Sequence, residues 1–160
     1  MHDLLLWYQH LPPMVAIAEG ETVWAYPTIL MLHTVGLGWL VGLNTVVALR
    51  LLGVGPAVPL DVFQELFPKM WWGFWLNLAT GFVLFSIDAD HKAYQWVYWV
   101  KLTAVTLAMV NLVRTRRYIE GLGLDGAPGT LADGGRGFAW AALVLWAVAT
   151  TAGRMMAYVG

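Results

Sequence analysis

The chain has 160 residues, of which 59% are hydrophobic and 12% are charged, whereas soluble domains average roughly 45–50% and 25%. A soluble domain of this length cannot hide so much apolar surface, so the composition indicates one membrane domain. The formal net charge of −1 argues against nucleic-acid binding, which needs a basic face. The absence of cysteine excludes disulfides, thiolate-ligated metals and covalently attached c-type haem.

The first apolar segment, residues 3–11, ends at Pro12 and Pro13. It is too short to span a bilayer, and its Trp7 and Tyr8 favour the membrane interface. We therefore predict an interfacial amphipathic helix. The N-terminus lacks a basic flank and a small-residue cleavage site, so a cleaved signal peptide is not expected.

Four longer apolar segments follow, and a helix of about 20 residues is enough to cross a bilayer. They are predicted over residues 23–52, 70–87, 94–113 and 137–159. A turn-rich segment follows the first span, a polar hairpin at 88–92 joins the second to the third, and a glycine-rich loop precedes the fourth. The predicted fold is an all-α integral membrane bundle of four transmembrane helices.

Basic residues gather at one end of these predicted spans. They are Arg50, Lys69, Arg114, Arg116, Arg117 and Arg136, and the opposite flanks carry Glu19, Glu21, Asp88 and Asp90 with Lys92. The positive-inside rule places the arginine-rich connections in the cytoplasm. We therefore expect a multi-pass protein of a bacterial inner membrane, with both termini on the periplasmic side.

Three ionisable residues fall within or near the outer halves of the predicted spans. His33 lies in the first span, Lys101 in the third and Arg154 near the end of the fourth. Charged groups inside a membrane are costly unless they face the bundle interior and meet anions, carbonyls or water. These residues are therefore the candidates for function, with Asp88 and Asp90 as the acidic residues near their level.

An anionic and largely apolar cofactor suits such a set of side chains. For haem b, His33 supplies an axial nitrogen, while Lys101 and Arg154 pair with the two propionates. For a quinone, His33 bonds a carbonyl oxygen and the same cations lie beside it. The structural alternative is that the two cations snorkel to the interface and that the histidine bonds a carbonyl or hydroxyl of a neighbouring helix.

A haem with two protein ligands needs a second axial group, and the predicted spans contain no other histidine. The candidates are His91, His10, Met31, Met155 and Met156. Seven methionines and four histidines also suggest copper binding, but Cu(I) prefers clustered soft ligands. Because the methionines are scattered apart from one adjacent pair, copper ranks below haem.

Small residues at four-residue spacing predict faces where helices approach closely. They are Gly38 with Gly42 on the first span, Gly73 with Asn77 and Gly81 on the second, and Ala149 with Gly153 on the fourth. On the first span, His33, Leu37, Leu40 and Asn44 share one stripe. The amides of Asn44, Asn77 and Asn111 and the hydroxyl of Thr80 are expected to bond across helices.

Short motifs along most of the chain resemble those of a bacterial membrane family. They run in the order WAYP, HTVGLGWLVG, ALRLLG, LFPKMWWGFWLNLATGFVLF, YWVKLTAVTLAMVN and TAGRMMAY. The chain resembles an uncharacterised family of four-span inner-membrane proteins, itself similar in pattern to the membrane domain of the copper-resistance protein CopD. The resemblance implies a four-helix membrane fold in which His33, Lys101 and Arg154 occupy the family's histidine, lysine and arginine positions. A histidine of that family is absent here, where the sequence reads NLVRTRR.

No nucleophile–base pair, phosphate loop or paired carboxylate motif occurs within the predicted spans, so hydrolase and kinase chemistry are not expected. Two hypotheses follow. The first is an accessory or structural membrane subunit that forms a homo-oligomer or joins a larger membrane complex through its glycine and tryptophan faces. The second is a redox carrier that holds haem b or quinone in an outer-half pocket around His33.

Overall fold

The computed structural model describes residues 24–59, 61–122 and 134–158, and within these ranges all regular secondary structure is helical. The helices are α1 (Ala25–Leu51), α2 (Asp61–Gln64), α3 (Leu66–Ser86), α4 (Ala89–Tyr94), α5 (Trp96–Gly121) and α6 (Gly134–Met155). The all-α prediction is confirmed for this part of the chain. The predicted interfacial helix at residues 3–11 lies outside the described residues.

Three helices, α1, α5 and α6, are long and apolar enough to cross a membrane. In their most apolar windows only 22%, 33% and 28% of the residues are buried inside the protein. Apolar helices that leave so much surface uncovered need lipid around them, which indicates a membrane protein. Helix α3 has 21 residues but does not belong to this set, because its tryptophans, Lys69 and Asn77 lower its mean hydropathy.

Several predicted boundaries are wrong by a turn or two. Helix α3 begins at Leu66 rather than at residue 70, since Pro68 lies in its first turn, where a missing N–H breaks no helical hydrogen bond. Helix α5 continues to Gly121 instead of ending at residue 113. One face of it stays buried as far as Ile119, so packing sustains the helix. The three arginines at 114–117 therefore lie on α5 and not in a connection.

The remaining boundaries also shift. Residues 88–92, predicted as a polar hairpin, contribute instead to the short helix α4. Helix α6 begins at Gly134, three residues before the predicted start, and ends at Met155. Arg154 is therefore in the last turn of α6, where a cation is favoured by the helix dipole.

The long helices form two antiparallel pairs, α1 with α3 and α5 with α6, and the pairs join where α1 packs on α6. Helices α1 and α3 approach most closely at Gly36 and Gly73. A Cβ at Gly36 would lie 3.1 Å from the Asn77 backbone nitrogen, and a Cβ at Gly73 would lie 3.1 Å from the Gly36 carbonyl oxygen. Both glycines are buried, so the backbones pack without side chains between them.

Gly38 and Gly42, predicted to form a close-approach face, do not pack on another helix of this bundle. Both are exposed, and a Cβ at either position would meet no atom within 4 Å. They lie on the outward side of α1, because the side that faces α3 and α6 carries Gly36, Leu40 and Asn44, which are buried.

Polar side chains bond across the helix pairs, as predicted for three of the four candidates. Asn77 Nδ2 donates to the His33 carbonyl at 2.9 Å, and Thr80 contacts the His33 ring. In the second pair, Asn111 Nδ2 donates to the Phe138 carbonyl at 3.0 Å. Each helix pair therefore has its own interhelical hydrogen bond in addition to packing.

We call the end of the bundle where α1 stops and α3 begins the arginine end. Its core is apolar and comprises Leu51, Phe67, Leu112, Ile119 and Ala139. Arg50, predicted as a loop-side cation, is buried there. Its Nε donates to the Val58 carbonyl at 2.9 Å and its Nη2 to the Pro56 carbonyl at 3.2 Å. These two hydrogen bonds stabilise the turn that follows α1.

Candidate functional site

The opposite end of the bundle contains a cavity of about 430 Å³, which we call the polar pocket. The structure brings all three predicted site residues to its wall, since His33 comes from α1, Lys101 from α5 and Arg154 from α6. Further polar lining comes from Asp88 and Lys92, at the connection between α3 and α5. Four parts of the chain therefore meet at one cavity.

The ring of His33 is held by Thr80 on α3. Its Nδ1 lies 3.0 Å from Thr80 Oγ1, and the Thr80 hydroxyl donates to the Leu76 carbonyl at 2.7 Å. When the Thr80 hydroxyl donates to Leu76, its oxygen accepts from the Nδ1–H tautomer of His33. The neutral imidazole then carries its lone pair on Nε2, which has no hydrogen-bond partner within the described ranges.

Gly81 leaves the space that the His33 ring occupies. A Cβ at this position would lie 3.1 Å from His33 Cε1 and 3.5 Å from Nδ1, closer than a side chain tolerates without displacing the ring. The sequence singled out Gly81 as part of a packing face, and its role here is to set the ring position. Together, Thr80 and Gly81 fix the orientation of the imidazole, and Thr80 can accept from the tautomer that carries Nδ1–H.

Lys101 reaches the pocket past Gly153 on α6. The ideal Cβ position of Gly153 is 3.6 Å from Lys101 Cε and 3.7 Å from Nζ, so the lysine stem packs on the bare backbone of α6. Lys101 is half-buried, and its Nζ forms no hydrogen bond or ion pair with a described residue. A cation placed in this way is available to an anion that enters the pocket.

Lys92 is a pocket residue that the sequence interpretation did not select. Its Nζ donates to the Leu84 carbonyl and lies 3.8 Å from Asp88 Oδ2. Burial lowers the pKa of Lys92 below its usual range, and the Asp88 carboxylate opposes that shift. With Lys92, Lys101 and Arg154 against Asp88, the described wall of the pocket carries more positive than negative charge.

A second cavity of about 180 Å³, which we call the apolar cleft, continues from the polar pocket. It lies between α3 and α5, with walls that include Phe74, Leu78 and Phe82 on α3 and Leu102 and Val105 on α5. The two cavities share five lining residues, which are His33, Gly81, Phe85, Tyr98 and Lys101. The rings of Phe85 and Tyr98 stack at 5.1 Å between centroids, so they close the gap between α3 and α5 beside the pocket.

Trp146 on α6 lines the apolar cleft and was not predicted as a site residue. The side chain is 3% exposed, and its Nε1–H is buried without a hydrogen-bond partner in the described parts of the chain. A buried donor without an acceptor costs about 1–3 kcal/mol. No sequence signal identifies such a donor, because its burial depends on how α6 meets the other helices.

The candidates for a second axial ligand differ in position. Met156 lines the polar pocket, whereas Met31, His91 and Met155 are exposed and do not line it. His10 lies outside the described residues. Within the described ranges there is also no group of three or more His, Asp or Glu side chains that would hold a metal ion by themselves.

Comparisons with known proteins add no identification. No family model, curated protein or solved structure matches this chain. The resemblance to the four-span family with a CopD-like pattern therefore stays a prediction, and the case for function depends on the geometry of the polar pocket.

Proposed function

We propose that this chain is a membrane electron carrier that binds haem b in the polar pocket. The observation that carries the proposal is the setting of His33, whose Nδ1 lies 3.0 Å from Thr80 Oγ1 while Nε2 has no hydrogen-bond partner among the described residues. Histidines that ligate metals almost always donate the other ring N–H to a fixed acceptor, which orients the ring and raises its basicity. A histidine that only served packing would not need Nε2 left open beside a cavity.

The charges around His33 support the same ligand. Lys101 and Arg154 line the pocket and would pair with the two carboxylates of haem, as charge-assisted bonds. The bound haem would supply reversible one-electron chemistry. The protein residues would fix the axial nitrogen, neutralise the carboxylates and keep bulk water from the ring through the Phe85–Tyr98 stack.

Met156 is the best-placed described candidate for the other axial position, because it lines the pocket that contains His33. A methionine opposite a histidine raises the reduction potential of a haem. If Met156 helps to hold the haem, the visible spectrum of a Met156→Ala variant should differ from that of the parent protein. An unchanged spectrum in that variant would exclude Met156 as a ligand.

The test is the visible spectrum of protein purified from native membranes, before and after reduction with dithionite. We expect a Soret band and a sharp α-band on reduction, absence of both in His33→Ala, and binding weakened about tenfold in Thr80→Val, as for loss of an outer-shell partner. His91→Ala is the matched control, because His91 is exposed and does not line the pocket. A folded protein with no Soret band would overturn the proposal.

A quinone is the second candidate, and the apolar cleft favours it. An apolar cavity that runs from the charged pocket between α3 and α5 suits a polar head with an isoprenoid tail. Trp146 Nε1–H at its wall is a donor with no acceptor among the described residues. Extraction of the purified protein with organic solvent, followed by chromatography, would identify a quinone. Trp146→Phe should then lower the amount retained, while Trp140→Phe, at an exposed position of the same helix, should not.

We also propose that α3 is a fourth membrane-spanning helix and that the arginine end faces the cytoplasm of a bacterial inner membrane. Support comes from the length of α3 and its antiparallel packing along α1, and from the arginines at one end. The chain has no cysteine, so single cysteines can be introduced without background. A cysteine at Arg117 should react only from the cytoplasmic side, and one at His91 only from the periplasmic side.

Self-association is a separate proposal that the exposed glycines of α1 support. Gly38 and Gly42 leave a bare strip of backbone on the outward side, beside Trp39, which is 53% exposed, and such strips allow close helix approach. The mass of the complex in mild detergent tests it. Gly38→Leu should convert an oligomer to monomers, whereas a monomeric parent protein would contradict self-association and leave the haem proposal unaffected.

A further inference from the structure

The arginine end carries a cavity of its own, separate from the polar pocket. It has a volume of about 260 Å³ and lies between the start of α3 and the end of α5. We call it the arginine pocket. Phe67 and Trp71 on α3 face Arg116 and Arg117 on α5 across it. None of the site residues discussed above lines this cavity.

The two arginines of this cavity differ in their pairing. Arg116 Nε donates to Glu120 Oε1 at 2.7 Å, one helical turn away. Arg117 forms no ion pair or hydrogen bond with a described residue. Because Glu120 neutralises Arg116, the described wall keeps the charge of Arg117 unbalanced. That charge suits a ligand with one negative group.

The other walls of the cavity are apolar. Trp71 and Val113 are half-buried and keep apolar surface towards the cavity, and Trp71 is held edge-on to Phe74, with ring centroids 5.4 Å apart. A free inorganic anion would leave these walls without a contact. A ligand that has a single anionic group attached to a hydrocarbon chain would use both the cation and the apolar wall.

We propose that the arginine pocket binds an anionic phospholipid, with its phosphodiester beside Arg117 and its acyl chain along Trp71 and Val113. The helices that form the cavity belong to a protein that lipid surrounds, and basic pockets between such helices are suited to anionic headgroups. The site is independent of the haem proposal, because the two cavities lie at opposite ends of the bundle and share no lining residue.

The experiment measures lipid binding to the full chain in detergent by native mass spectrometry, with thermal unfolding as a second readout. The probes are phosphatidylglycerol, phosphatidylcholine and inorganic phosphate at equal ionic strength. We expect phosphatidylglycerol to be retained and to raise the unfolding temperature, with no effect of the other two. Arg117→Gln should lower phosphatidylglycerol affinity about fivefold, since a basic group near an anionic headgroup contributes about 1 kcal/mol.

Arg114→Gln is the matched control. Arg114 is exposed on the same helix, loses the same charge and does not line the cavity, since its guanidinium lies over the Phe138 ring at 5.6 Å. We expect it to change the affinity less than twofold and Glu120→Gln to raise the affinity, because Arg116 is then released. Equal losses in Arg114→Gln and Arg117→Gln would overturn the proposal, as would stabilisation by inorganic phosphate equal to that by the lipid.

Discussion

The two ends of the bundle hold their inward-facing cations in opposite ways. At the arginine end, Arg50 is 5% exposed, and it donates two hydrogen bonds to carbonyls of the adjacent turn. At the other end, Lys101 is half-buried beside a cavity, and its Nζ has no partner in the described chain. The comparison shows that a cation with its donors in use stabilises the fold, whereas one with free donors is available to a ligand.

The largest expected difference between the ends is in packing. Leu112 and Leu102 lie on the same helix, but Leu112 is 2% exposed in the core and Leu102 is 38% exposed at the apolar cleft. Leu112→Ala should lower the free energy of unfolding by about 3 kcal/mol, as a buried leucine truncation does. Leu102→Ala should lower it by less than about 1 kcal/mol, because a side chain that is 38% exposed loses fewer packing contacts on truncation. Chemical unfolding in detergent measures both, and equal losses would contradict the distinction.

The two cations provide the next test. Arg50→Met should lower the free energy of unfolding by about 2 kcal/mol, because it removes two hydrogen bonds from a charged donor and leaves the Val58 and Pro56 carbonyls without it. Lys101→Met should not lower it, since the variant removes a half-buried charge that has no partner among the described residues. The effects on haem binding, read from the visible spectrum, should be the opposite. Lys101→Met should bind less haem, and Arg50→Met should bind a normal amount. If Lys101→Met unfolds as readily as Arg50→Met, Lys101 has a structural role.

A smaller effect is expected where the first helix pair crosses. Gly36→Ala places a methyl group 3.1 Å from the Asn77 nitrogen and 3.2 Å from the Gly73 oxygen, both backbone atoms. The helices must separate, at a cost of about 1.5 kcal/mol. Gly38→Ala, two residues on, meets open space and should not destabilise the protein. Thermal unfolding of the two variants compares them, and a more harmful Gly38→Ala would indicate that its face packs on another protein.

The smallest effect is a dependence on pH. Because the pKa of Lys92 is lowered by burial, the folded protein releases this proton at a lower pH than the unfolded chain. The free energy of unfolding should therefore rise with pH from the lowered pKa up to the usual value of about 10.4. Lys92→Met should remove this part of the rise. If the free energy of unfolding depends on pH in the same way in the parent and variant proteins, Lys92 is not the group responsible.

Composition and spacing predicted much of the fold. Runs of apolar residues predicted the long helices, because their length must match a bilayer. The helix ends near Pro68 and beyond Val113 differ from the prediction. The first depends on the geometry of the first helical turn, and the second depends on packing against a neighbouring helix. Gly36 was missed in favour of Gly38, since the choice between two nearby glycines depends on which face of α1 meets α3.

The candidate site was predicted in part. His33, Lys101 and Arg154 reach one cavity. Their similar depth in the membrane was predicted from the sequence, because successive spans run in alternating directions. Their predicted role as cofactor ligands remains a prediction. Lys92 and Trp146 were not predicted. The positions of the Lys92 ammonium and of the Trp146 indole N–H depend on how the four long helices pack, which the sequence does not show.

The origin of the pocket residues has a consequence for biosynthesis. His33 and the residues that orient it belong to the first helical hairpin, whereas Lys101 and Arg154 belong to the second. Each hairpin forms its own interhelical hydrogen bond, so each can be stable before they dock. A chain arrested after residue 86 would present an imidazole with neither of these two cations opposite it. Under the haem proposal, occupancy of the polar pocket would therefore report that both halves of the protein have been made and joined.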